Sequence, residues 1–213
     1  RGGEDGGVPE AATPEGRARV RERELRCAAE ALGVHQVILL GYVDPPVGPD
    51  ETLYPFTDDE ETLIAQIATV IRQTRAQVIL THGTDGEYGH PAHVQVHRAV
   101  LGAVRQSAPH VWGYGVAGYL PDVEDRLWNA SDPAHLALDI TPWFEAKHAA
   151  MLCHRTQHAL FKRRRKLHTV REAVRTLETF HRHHPPVPPA ATPDDPFAAT
   201  LLTAGAWQPL HSR

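Results

Sequence analysis

Seventeen residues, Thr81 to His97, read THGTDGEYGHPAHVQVH and hold four histidines, two acids and three glycines. Imidazoles bind divalent metals and move protons near neutral pH, and a carboxylate beside them completes either chemistry. His90 precedes Pro91 and is therefore held extended. His93 and His97 stand four apart and share a helix face. Val96, Val100 and Val104 lie on or beside that face, so His93 looks inward. His90 with His93 reads equally as a metal or acid–base pair and as histidines of a loop without chemistry, and His97 reads as bystander packing. Asp85 and Glu87 follow glycines in a loop and are expected to be solvated.

These residues need elements to position them. QVILTH (77–82) reads as a buried strand entering the loop, and PAHVQVHRAVLGAVRQSA (91–108) as a helix with Pro91 at its first turn. Upstream, Thr13-Pro14 reads as a cap and first turn for a helix ending at Gly33. Leu25, Ala28 and Leu32 are its expected apolar stripe, with Arg21 on the same face. HQVILLGYVD (35–44) is β-branched and apolar throughout, as in a strand buried in a parallel sheet. TDDEETLIAQIATVIRQTRA (57–76) is a helix with Thr57 and Glu60 as a capping box and Leu63, Ile64, Ile67, Val70 and Ile71 inward. HVWGYGVAGYL (110–120) reads as a strand or pair of strands.

Alternating helices and strands predict an α/β fold with a mostly parallel sheet and helices on both faces. Ligands in such sheets bind beyond the carboxyl ends of the strands, where Asp44 and the 81–97 segment fall. Residues 141–180 read as largely helical. From His181 onward the proline-rich composition reads as extended, giving a domain over 1–184 and a C-terminal tail over 185–213 that either docks or stays loose.

Composition narrows the function classes. The chain has 213 residues, 22 basic and 26 acidic side chains and a formal charge of −4. That balance argues against a general nucleic-acid binder, and KRRRK (162–166) reads as a solvated helix face. No apolar run reaches membrane-spanning length, and the Gly-rich acidic opening does not read as a secretory leader. Cys27 and Cys153 form no CxxC pair and read as small core residues in a reducing, cytoplasmic setting. A nucleotide-binding module lacks support, since neither GxGxxG between strand and helix nor GxxxxGK[ST] occurs.

THGTDGEYGHPAH resembles the second signature of the LmbE-like, or PIG-L, metal-dependent N-deacetylases, T-H-x-x-x-G-x-Y-x-H-P-D-H. RGGEDG (1–6), RERELRCAAEALGV (21–34), LGYVD (40–44), KHAAMLCHRTQ (147–157) and ETFHRHHP (178–185) are similar to other family segments, in the family's order. The resemblance implies a Rossmann-like fold and removal of an acetyl group from an N-acetylglucosamine conjugate. Zinc, or another divalent metal, is the implied cofactor. It implies His93 as a metal ligand, and His90 and Tyr88 as catalytic groups at the oxyanion. Arg21 and Asp44 would hold sugar hydroxyls, and Glu4 would border the sugar. The implied partner is a small amino-sugar conjugate, not nucleic acid or membrane, with homo-oligomerisation left open.

Two departures bear on activity. The family's His-Pro-Asp-Asp-Glu motif does not occur, and TDDEE (57–61) does not replace it. Together with the single methionine, Met151, this reads as an N-terminally incomplete chain, lacking a first strand–helix unit and expected to be inactive by itself. The family Asp between Pro and His is Ala92 here, which predicts a looser His90 and weaker acid catalysis. The alternative is a non-catalytic sugar-binding or assembly member of the same fold.

Overall fold

The computed structural model describes residues 7–43, 45–121, 123, 127–163 and 166–209. In chain order it contains α1 (Pro14–Ala31), α2 (Glu60–Thr74), β1 (Val78–Thr81), α3 (Pro91–Ser107), β2 (Trp112–Val116), β3 (Gly118–Tyr119) and β4 (Asn129–Pro133). These are followed by β5 (Leu136–Asp139), α4 (Phe144–Cys153), β6 (Leu177–His184) and α5 (Pro196–Thr203), with several one-turn helices between them. The chain forms two compact units, one of residues 1–39 and 140–176, the other of residues 40–139 and 177–213. Among the described residues no helix is long and apolar enough to cross a membrane.

In the first unit, α1 begins as its sequence dictates. Thr13 is extended, its hydroxyl accepts from the Gly16 N–H at 3.0 Å, and Pro14 opens the helix. The buried face is not the expected stripe. Val20, Glu24, Ala28 and Ala29 turn inward, while Leu25 and Leu32 are exposed. The reason is polar: the Glu24 carboxylate accepts from Thr156 N–H at 2.8 Å and from the Thr156 hydroxyl at 2.6 Å. A buried carboxylate with two donors is tolerated where an unpaired one is not. The thiols are also not separate core residues. Cys27 and Cys153 form a disulfide joining α1 to α4, with Cα atoms 5.7 Å apart. This pairing removes the reason for assigning the chain to a reducing compartment.

Among the described residues of the expected strand over 35–44, which are 35–43, no strand forms. Residues 36–43 have no ladder, and Ile38, Leu39 and Val43 are exposed. An apolar β-branched run becomes a strand only when a neighbour accepts its hydrogen bonds, and none of the described strands does so.

The second unit carries the sheet, in the order β1-β2-β6-β5. The α/β class is as expected, and the sheet is mixed. β1 and β2 are parallel, whereas β6 runs antiparallel to both β2 and β5. α2 and α3 cover it through Ala68, Ile71, Ala103, Val104 and Val111. Gly102 permits their close approach, because a Cβ there would lie 2.9 Å from Ile64 Cδ1. The cap of α2 is Asp59, whose carboxylate accepts from Thr62 N–H at 2.9 Å, and not a Thr57–Glu60 box. Thr57 instead accepts from the Asp59 N–H at 3.1 Å.

Residues 177–184 are strand rather than helix or tail. β6 lies inside the sheet because its alternation gives each face a task. Arg182 points one way, donating to Asp195 at 2.8 Å. Asp195 is fully buried, caps α5 through the Phe197 and Ala198 amides, and accepts from the Tyr114 hydroxyl. The segment beyond β6 therefore docks, and Trp207 pairs with Ala137 through two backbone hydrogen bonds.

Two stability predictions follow from this packing. Burial alone would raise the Asp195 pKa, but Tyr114 and Arg182 overcome it and hold it below the usual aspartate value. Burial and Asp195 together push Tyr114 well above the usual tyrosine range. A lowered carboxylate stabilises the fold above its unfolded pKa, and a raised phenol stabilises it below its own. Urea unfolding should therefore show stability falling below about pH 4 and above about pH 10. Asp195→Ala, which leaves the buried Arg182 only the exposed Asp194 carboxylate at 3.3 Å and the Pro185 carbonyl at 2.9 Å, should cost about 3–5 kcal/mol in the same assay. Separately, reduction of the disulfide should lower stability by about 2–4 kcal/mol, read as a lower Tm under reducing agent.

Candidate metal and acid–base site

The 82–90 segment leaves the carboxyl end of β1 and is held down by β4. Asp132 accepts from both the N–H and the hydroxyl of Thr84, each at 2.7 Å. Asn129 Oδ1 accepts from the Asp85 and Glu87 amides at 3.1 and 3.0 Å. The Asp85 carboxylate returns the contact to Ser131 N–H at 2.8 Å and to the Ser131 hydroxyl at 2.9 Å. Gly83 makes the approach possible, since a Cβ there would overlap Asn129 and Asp132.

This clamp holds Glu87 at φ 63°, in the region that disfavours a side chain. The Glu87 carboxylate is turned inward, only 14% exposed, and meets two imidazoles. Oε2 lies 2.6 Å from His93 Nδ1 and 3.0 Å from His82 Nδ1. Burial alone would raise the Glu87 pKa. The hydrogen bonds and charge of His82 and His93 prevail, holding it well below the usual carboxylate range.

The rings form a column. His82 stacks on His93 with centroids 3.9 Å apart, and His90 stacks on the other side at 4.4 Å. The Tyr88 ring stands edge-on to both His90 and His93, 5.6 Å from each. His90 caps α3, its Nδ1 accepting from Ala92 N–H at 3.2 Å. That bond and the stack orient His90 where a loose rotamer was expected, and it places the neutral ring's proton on Nε2.

Of the residues singled out in the sequence, Tyr88, His90 and His93 converge here. Arg21 is on α1 of the other unit, and Glu4 and Asp44 lie outside the described residues, as does part of the KRRRK run. Glu87 is not the solvated loop acid expected. His97 is buried as expected, but it is not inert packing: its Nδ1–H donates to the His82 carbonyl at 2.8 Å, fixing the strand end. Burial is the main cause of its lowered pKa. His82 stood at the strand's carboxyl end, a position that could have flagged it. Asn129 and Asp132 had no local signal, being more than forty residues away.

His82, Glu87 and His93 offer two nitrogens and a carboxylate oxygen within 4.8 Å of one another. This donor set fits a divalent cation of the zinc type.

Residues 1–104 match the family model of the PIG-L GlcNAc-PI de-N-acetylases. Over these residues the chain is similar to the PIG-L family. Among curated proteins, a 1D-myo-inositol 2-acetamido-2-deoxy-alpha-D-glucopyranoside deacetylase of Thermobifida fusca is 40% identical over 101 residues, 44% of this chain and 35% of that protein. The protein of the same name in Corynebacterium urealyticum is 30% identical over 171 residues, 63% of this chain and 51% of its own length. The chain thus spans about a third to a half of the curated relatives it matches. Among solved structures, GalB, the 4-carboxy-2-hydroxymuconate hydratase of Pseudomonas putida KT2440, aligns with a TM-score of 0.51 at 21% identity, covering 83% of this chain and 76% of that one. That likeness concerns the fold.

The strain at Glu87 is testable without any ligand. Glu87→Gly should unfold at a higher temperature than Glu87→Ala, with a gap of about 1 kcal/mol, because only glycine is unstrained at positive φ. In a Zn2+ titration both variants should bind about one equivalent less than the unaltered chain, matching the loss of one donor group.

Proposed function

We propose that this chain forms part of a metal-dependent N-deacetylase centre acting on an N-acetylglucosamine conjugate of the inositol type. The reading is supported by the PIG-L match and the names of the relatives. The observation that carries it is the His82–His93–His90 column with Glu87 behind it and Tyr88 at its edge.

In this proposal His82, Glu87 and His93 hold the cation. A bound cation of this kind contributes Lewis acidity toward a carbonyl oxygen. The remaining roles belong to side chains. His90 donates from Nε2 to the oxygen on which charge develops, and the Tyr88 hydroxyl supplies a second donor. Tyr88 is half exposed, so its ring is open to an approaching substrate. Glu87 keeps both imidazoles in register. Arg21, Asp44 and Glu4 remain proposed sugar contacts on the resemblance alone.

The 213 residues contain no His-Pro-Asp-Asp, the family segment that supplies the general base. The proposal for these residues is therefore amide and sugar recognition without rapid turnover. Ala92 favours the second reading, a non-catalytic sugar-binding member, because its position carries no acid beside His90.

The test uses N-acetylglucosaminyl-inositol with Zn2+. Calorimetry should show binding, weakened about 10-fold or more by His90→Ala and Tyr88→Phe together. Acetate release should be near background, and should rise when a polypeptide bearing His-Pro-Asp-Asp is joined upstream. Absence of binding would sink the proposal. Binding that stays without turnover in the joined protein would establish the sugar-binding reading in its place.

A further inference from the structure

We infer that Asp132, His181 and His183 form a second cation site, buried in the sheet-bearing unit and separate from His82, Glu87 and His93. His181 and His183 are two apart on β6, where His183 is the extra residue at a ladder irregularity between Arg182 and His184, and their rings meet with centroids 4.6 Å apart. Asp132 comes from β4. One donor atom of each residue lies within 4.8 Å of the others.

Three observations point to a ligand rather than to a plain ion pair. First, His183 Nε2 is buried and has no aligned hydrogen-bond partner among the described residues, although Asp132 Oδ2 is only 3.4 Å away. The His183 side chain is 10% exposed and that of Asp132 4%. A buried pair that served only itself would close to an aligned N–H···O distance of about 2.7–3.2 Å. A misaligned nitrogen facing a carboxylate at longer range is the geometry that an intervening cation satisfies, and without one it costs stability.

Second, the other donors are already oriented. His181 Nδ1–H donates to the Pro133 carbonyl at 2.7 Å, which puts the lone pair on Nε2. This backbone anchor is the usual support of a metal-binding imidazole. The Asp132 carboxylate is fixed by Thr84 N–H and hydroxyl, and each oxygen retains a second lone pair.

Third, the chain makes room for the ring. A Cβ at Gly115, on neighbouring β2, would stand 2.6 Å from His183 Nε2.

Two imidazoles and one carboxylate in a buried setting suit a borderline cation such as Zn2+ and not Ca2+ or Mg2+, which prefer all-oxygen sites. Its role is to tie β4 to β6. Because Asp132 also holds Thr84, the cation would stiffen the loop that carries Glu87. The inference does not depend on the proposed deacetylase activity.

The experiment uses the full chain carrying Glu87→Gln and His93→Ala, which dismantles the first site while leaving the second untouched. After equilibration with Zn2+ and dialysis, metal analysis should find about one equivalent, matching the one remaining group. Adding His183→Gln should remove it. A result of zero in the double variant overturns the inference, as does an equivalent that survives both His183→Gln and His181→Gln. Should the His183 variant fail to fold, X-ray absorption on the zinc-loaded double variant decides: two imidazoles per zinc are expected, and none or one refutes the site.

Discussion

The contact on which the site depends is the clamp between β4 and the loop after β1. Asn129 and Asp132 take four donors from Thr84, Asp85 and Glu87, and Asp85 answers through Ser131. Holding a side chain at positive φ costs about 1–2 kcal/mol. Each hydrogen bond to a charged acceptor contributes about 1.5–3 kcal/mol, so the clamp outweighs the strain at Glu87. Without it the Glu87 carboxylate would relax into water, where a glycine-flanked acid normally sits. With it, the carboxylate is fixed against two imidazoles, and the column of rings has a base.

β6 shows how one strand serves stability and chemistry together. Its alternation sends Arg182 to the buried Asp195 and Tyr114, which pins the segment beyond the strand onto the sheet. The same strand sends His181 and His183 to Asp132 and the loop clamp. A one-residue slip in register would exchange these faces and destroy both arrangements. The sheet's antiparallel pairing of β6 with β2 and β5 thus matters more to the site than the parallel pair that the helix–strand alternation suggested.

Legibility in the sequence followed how local the cause was. α2 and α3 have strong apolar periodicity, and α3 has Pro91 in its first turn, so their existence could be read, whereas the Asp59 cap of α2 was not. The Thr13-Pro14 start of α1 was equally local. Its buried face was not, because Glu24 turns inward for a donor at Thr156, 132 residues away. HQVILLGYVD has strand composition, yet composition supplies no partner. β6 was misread for the opposite reason: its histidines and the following prolines hide a strand whose stability comes from neighbours on both sides.

By itself, the sequence determined the starts of α1 and α3, the α/β class and the stretch in which chemistry would be found. It also carried the family resemblance, because THGTDGEYGHPAH keeps order and spacing that a chance cluster of histidines lacks. Only the tertiary structure decided which of those groups meet. It turned Glu87 from a solvated acid into the partner of His82 and His93, gave His97 a backbone to hold, and drew Asn129, Asp132, His181 and His183 to the same loop. The physical reason is range. Caps, turns and periodicity act over a few residues, whereas buried polar groups must find partners wherever the fold provides them, and Asn129 and Asp132, which fix the loop that carries Glu87, lie more than forty residues away from it.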